Sequence, residues 1–240
     1  MRYLVNLSYN GNYYYGYQIQ KNKVTVEGEI ERVLSQILNS KINTIGASRT
    51  DRGVHAYNQY CHFDFDKKID VNKLKNSMNK LIGEGIYIKK ISIVNDSFHS
   101  RFDVLNKEYI YKINMGEYNP IEKDYIFQYN KTIKRDLLDI FVDKMRGKHN
   151  FRSFTSDKDN NEYERDLSLD YKIKDNILYI RFYSNGFLRY MIRNIVGLLL
   201  DINDNKKSID DIDKIFNSRS RCSCGRCAAP EGLYLNKIEY

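Results

Sequence analysis

The stretch Ser48-Arg49-Thr50-Asp51-Arg52-Gly53-Val54-His55-Ala56 gathers more chemically capable side chains than any other part of this chain. One carboxylate, Asp51, stands between two arginines and is followed four residues later by a histidine. A carboxylate in such a setting can attack an electrophilic carbon or stabilise positive charge developing on it. Gly53 permits a tight turn directly behind it. A plain turn, with Asp51 accepting backbone N–H groups, would account for Asp51 and Gly53. It would not account for Arg49, Arg52, Thr50 and His55 crowding around the same carboxylate.

The elements that must hold this loop can be read from hydrophobic periodicity. Arg2 to Tyr9 reads as a strand ended by the turn dipeptide Asn10-Gly11. Thr25 is placed to cap a helix whose stripe is Val26, Ile30, Val33, Leu34, Ile37 and Leu38. Ile42 to Arg49 is expected as a strand leading into the loop, and Gln59 to Asp66 alternates as a strand leading away. A helix through Val71, Leu74, Met78 and Leu81 and a strand over Ile86 to Val94 follow. The second half has the same grammar. Strands are predicted over Lys107 to Met115, Leu167 to Lys174, Ile177 to Tyr183 and Leu233 to Tyr240. Helices are predicted over Arg135 to Met145, Phe187 to Ile202 and Ile209 to Phe216. Strands joined by short turns, mixed with helices in no strict alternation, predict an α+β fold with antiparallel or mixed sheets. The halves divide at Val104, giving expected units 1–104 and 105–240 that pack around a central cleft.

With 240 residues, 42% hydrophobic and 29% charged, the chain has the composition of a globular protein with a sizeable core. Its net charge of +8 favours a polyanionic partner, because cations that neutralise phosphates release condensed counterions. The longest apolar stretch, Phe187 to Ile202, carries Arg189, Arg193 and Asn194, and is too short and charged to span a bilayer. No apolar leader precedes the first strand, so a cytoplasmic protein is expected. No dinucleotide fingerprint or phosphate-binding glycine loop is present. Cys222-Ser223-Cys224-Gly225-Arg226-Cys227 lacks a second nearby pair, and no metal is expected there.

Further segments, in order, extend the motif. These are Tyr14-Tyr15-Gly16-Tyr17-Gln18, Phe98-His99-Ser100-Arg101-Phe102 and Lys107-Glu108-Tyr109-Ile110-Tyr111. His149 to Phe154, Phe187 to Gly197 and Glu231-Gly232-Leu233-Tyr234-Leu235 complete the set. Together with the Asp51 loop they resemble the ordered signatures of the TruA-type tRNA pseudouridine synthases, over nearly the whole chain.

The resemblance implies the pseudouridine synthase fold, no cofactor, a homodimer, and tRNA as substrate, modified at positions 38 to 40 of the anticodon arm. It assigns the catalytic role to Asp51, the paired cation to Arg193 and the base-stacking ring to Tyr109. The target uracil must leave its stack to expose N1 and C5. Arg49, Arg52, His55, Gln59, Arg101, Tyr111, Arg152 and Arg189 are the candidates for contacting the RNA around it. Arg189 and Arg193, one helical turn apart, are expected on one helix face. Ser48, Arg52 and Tyr17 depart from the family pattern, and Arg52 adds a charge beside Asp51. Two other readings remain open: a non-catalytic RNA-binding protein, and a base-excising hydrolase, which would need a second positioned carboxylate.

Overall fold

Strict alternation of buried and half-buried residues makes Arg2–Tyr9 the strand β1, with Tyr3, Val5, Leu7 and Tyr9 turned into the core. It is the inner strand of the first of two units in the computed structural model, which describes residues 1–157 and 162–240. This first unit comprises Met1–Lys107 and Tyr234–Tyr240; the second is Glu108–Leu233.

In the first unit the chain continues through α1 (Val26–Leu38), β2 (Ile45–Gly46), β3 (His55–Asp64), α2 (Val71–Leu81) and β4 (Ile86–Val94). Thr25 caps α1 as its position suggests, its side chain accepting from the Gly28 N–H at 3.3 Å. Asp70 caps α2 in the same way. β1 lies between β3 and β4, antiparallel to both, and α2 packs against β4 and α1. The strand expected over Ile42 to Arg49 shrinks to two residues. The cause is local: the Ala47 N–H still reaches the Tyr60 carbonyl, but the Ser48 backbone is taken by the Gln59 side chain, which ends the ladder.

The second unit contains β5 (Asn106–Asn114), β6 (Phe127–Gln128), α3 (Arg135–Met145), β7 (Gly147–Asn150), β8 (Glu164–Lys174), β9 (Ile177–Ser184), α4 (Met191–Asn203), α5 (Asp211–Ser218) and α6 (Arg221–Cys224). β9 and β8 form the predicted hairpin; Asp175 and Asn176 at its tip have φ of +51° and +59°, the signature of a type I′ turn. β7 adds antiparallel to β8, and β6 pairs parallel to β5. α4 is the unit's central helix: from Met191 to Ile202 every residue but Arg193 is buried. It starts four residues later than predicted, because Tyr190 adopts a left-handed φ of +62° and the helix begins after it. Gly197 is required where the backbone of Arg226 crosses α4, since a Cβ there would collide with that carbonyl.

The last strand, β10 (Leu233–Glu239), runs parallel to β3 through Tyr234–His55 and Leu235–Ala56. Parallel neighbours need a long crossover; here the connecting chain holds α2, β4 and the second unit. The last seven residues thus fold with the first unit, although chain order groups them with the second half. Both units are mixed α+β.

One buried histidine makes the first unit acid-sensitive. His62 on β3 lies 2.8 Å from the Ser100 hydroxyl and accepts the Ser100 N–H at Nδ1. Burial, then the neighbouring Arg2 and His99, push its imidazole down to about 4 from 6.5. Between these values the unfolded chain binds a proton that the folded chain refuses, so stability falls as pH drops through that window. Urea midpoints should decline from pH 6.5 towards 4 in the native protein, and less steeply in His62→Gln.

Candidate active site

The loop from Ala47 to Val54 joins β2 to β3 and is held on three sides. At its start, Gln59 is fully buried: Nε2 donates to the Ser48 carbonyl at 2.6 Å and to the Tyr9 hydroxyl at 3.5 Å, and Oε1 accepts the N–H groups of Ser48 and Tyr60. In its middle, the Thr50 hydroxyl lies 2.7 Å from that of Tyr9, and the Thr50 carbonyl accepts from the Tyr17 N–H at 3.0 Å. At its end, Arg52 and Gly53 form a turn closed by the Val54 N–H on the Asp51 carbonyl at 3.1 Å, with Gly53 at φ +81°. Asp51 thus sits half-buried at the corner of a rigid loop.

Two glycines allow neighbouring chain to close on the loop. Gly16, at φ +96°, brings its backbone against Thr50 and Arg52. Gly11 lies against the backbone of Gly53 and Val54, where any Cβ would overlap the Val54 carbonyl. The Gly11 N–H also donates to His55 Nδ1 at 3.2 Å, and the His55 imidazole stacks on Tyr234 at 4.7 Å. Lys107 adds a further brace, donating to the Ala47 carbonyl at 2.7 Å; burial pushes its ammonium down to about 8.

Two of the candidate RNA contacts, Gln59 and His55, are buried and brace the loop. Arg49, Arg52 and Arg101 are exposed. The Arg52 guanidinium lies over the Tyr15 ring at 4.4 Å rather than closing back on its own loop. Arg101 belongs to a loop whose next residue, Phe102, is 74% exposed although its ring stacks on His99.

In the second unit Tyr109 and Tyr111 are both buried on β5. The Tyr111 hydroxyl donates to the Ala229 carbonyl at 2.6 Å, which makes it a core residue. Tyr109 meets Phe187 edge to face at 5.2 Å. Arg193, the one partly open position in its stretch of α4, donates from Nε to the Ala228 carbonyl at 2.8 Å; its own carbonyl accepts the Ala228 N–H. Arg189 is not on α4 at all, since the helix begins at Met191. It nevertheless shares a partner with Arg193, because the two guanidinium groups lie 5.0 and 5.3 Å from the Tyr190 ring. Tyr190 holds a left-handed backbone, which costs a non-glycine residue about 1–3 kcal/mol. Periodicity does not reveal it; the only signal available was its place between Arg189 and Arg193. Arg152 is half-buried with its guanidinium 4.9 Å from the Tyr163 ring.

The cysteines of the second unit take up packing roles where buried. Cys224 points its thiol at the Asn194 carbonyl at 3.6 Å, and burial pushes it up to about 12. Cys61, on β3, is likewise pushed up to about 12 by burial.

The sequence model of a family described as tRNA pseudouridine synthase matches residues 7–103 and 142–240 of this chain. Similar curated proteins include tRNA pseudouridine synthase A of Mycoplasma genitalium, 37% identical, the alignment covering 100% of this chain and 98% of that protein. The proteins of the same name from a Geobacillus species and from Dictyoglomus thermophilum are each 38% identical. Those alignments cover 98% of this chain and 96% and 98% of the relatives.

Proposed function

The chain belongs to the tRNA pseudouridine synthase family, and from that membership we propose that it isomerises uridines 38 to 40 in the anticodon arm of tRNA, with Asp51 as the essential carboxylate. The observation that carries this reading is the Asp51 loop: a half-buried carboxylate on a turn braced by Gln59, Tyr9, Tyr17, Gly11 and His55. Such bracing fixes a reacting group in advance, so that little reorganisation accompanies the chemistry.

The reaction breaks the N1–C1′ bond, turns the uracil and joins C5 to C1′; N1 gains a proton and C5 loses one. Asp51 attacks C1′, stabilises the positive charge left there, or takes part in a route through an elimination product. Arg193 is the cation that the family signature pairs with the Asp51 carboxylate, and its bond to the Ala228 carbonyl fixes the guanidinium plane. Tyr109 is the ring that stacks on the flipped base. Arg49, Arg52 and Arg101 are the exposed cations suited to the RNA backbone. The protein works without a cofactor, as a cytoplasmic homodimer.

Incubating the purified protein with an unmodified tRNA transcript and mapping pseudouridine along it tests this reading. Pseudouridine is expected at one or more of positions 38 to 40 with no cofactor added. Tight binding without any change in the uridines would make the protein an RNA-binding module instead. Release of free uracil would make it a hydrolase.

A further inference from the structure

Tyr15 lies outside the Asp51 loop in sequence but is held against it. The Gly16 backbone packs on Thr50 and Arg52, and the Tyr15 N–H donates to the Val24 carbonyl at 2.9 Å. The Tyr15 carbonyl accepts from Gln20 Nε2 at 2.7 Å. The ring so fixed carries two cations: Arg52 Cζ and Lys23 Nζ each lie 4.4 Å from its centroid. All three side chains are exposed. Among the described residues no carboxylate forms an ion pair with Lys23 or Arg52.

Two like charges gathered on one ring, with no carboxylate among the described residues in an ion pair with either, make a site for an anion. The ring's negative face attracts each cation and limits its freedom, which biases both charges towards the ring. Arg52 follows Asp51 directly, and the turn that places one places the other. We propose that Tyr15, Arg52 and Lys23 form a clamp for an RNA backbone phosphate flanking the reacting nucleotide. The clamp rests on the RNA-modifying function proposed above, and it extends that function with two residues, Tyr15 and Lys23, that the motif alone does not single out. Tyr15 acts by positioning the two cations; Arg52 and Lys23 contact the phosphate.

The test measures binding of an unmodified anticodon stem-loop RNA by fluorescence anisotropy over a salt series. The variants are Lys23→Gln, Arg52→Gln, Tyr15→Leu and Tyr15→Phe, each checked for a native circular dichroism spectrum. Loss of either cation should weaken binding roughly threefold or more and lower the slope of log affinity against log salt by about 0.7. Tyr15→Leu changes no charge, yet should weaken binding and lower that slope, because the cations lose their platform. Tyr15→Phe keeps the ring and should bind as the native protein does. Native affinity and slope in Lys23→Gln or Tyr15→Leu would overturn the clamp. Failure of the clamp is separable from failure of the function: a protein that makes pseudouridine while these variants bind RNA natively lacks only the clamp. A protein that makes none, yet shows the expected slopes, keeps the clamp and loses the function.

Discussion

Replacement of Asp51 by Asn is expected to reduce pseudouridine formation by about 10³-fold or more, with native folding. Asn keeps the size and the acceptor oxygen of the side chain but removes its charge and its nucleophilicity. The braces described above hold the loop through groups other than the Asp51 carboxylate. The turn closes through the Asp51 backbone carbonyl, and the other braces reach Ser48, Thr50 and the backbone beyond Asp51. A thermal melt matching the native protein, alongside single-turnover assays on a tRNA transcript, isolates the chemical effect. Turnover within tenfold of native would remove Asp51 from the centre of the mechanism. RNA binding by the Asn variant should persist, since the exposed cations that meet the backbone are untouched.

The second large effect belongs to a residue with no side chain. Gly11→Ala should lower stability by about 2–3 kcal/mol, and the melting temperature by about 5–10 °C, while also reducing activity. A Cβ on residue 11 meets the Val54 carbonyl carbon at 2.5 Å and the Gly53 carbonyl carbon at 2.7 Å. Both partners are main chain, so no rotamer change relieves the overlap and one backbone must retreat. Retreat of residue 11 withdraws its N–H from His55; retreat of the loop shifts the turn that carries Asp51. Gly83→Ala is the matched control, because the nearest heavy atom to its new Cβ is the Tyr14 hydroxyl at 3.8 Å. Equal melting temperatures for the two variants would show that the close approach at Gly11 is not needed.

What the sequence by itself determined was carried by local rules. The caps at Thr25 and Asp70 and the Asp175-Asn176 hairpin depend on neighbours within a few residues. The stripe of α1 and the alternation of β1 are likewise written in spacing, and so is the family signature around Asp51. Tertiary structure decided the rest, because those outcomes turn on partners far along the chain. Gln59 resembles a free polar residue until the fold buries it and spends its amide on Ser48, which also cuts the preceding strand to two residues. Arg189 seemed to share a helix face with Arg193, until the left-handed backbone of Tyr190 set the start of α4 after it. β10 joins the first unit through pairing across some 180 residues, which no window of local periodicity can register. The Asp51 motif stands apart from these: its residues pointed to the family, while the three-sided brace and the placing of Arg52 on Tyr15 came only with the fold.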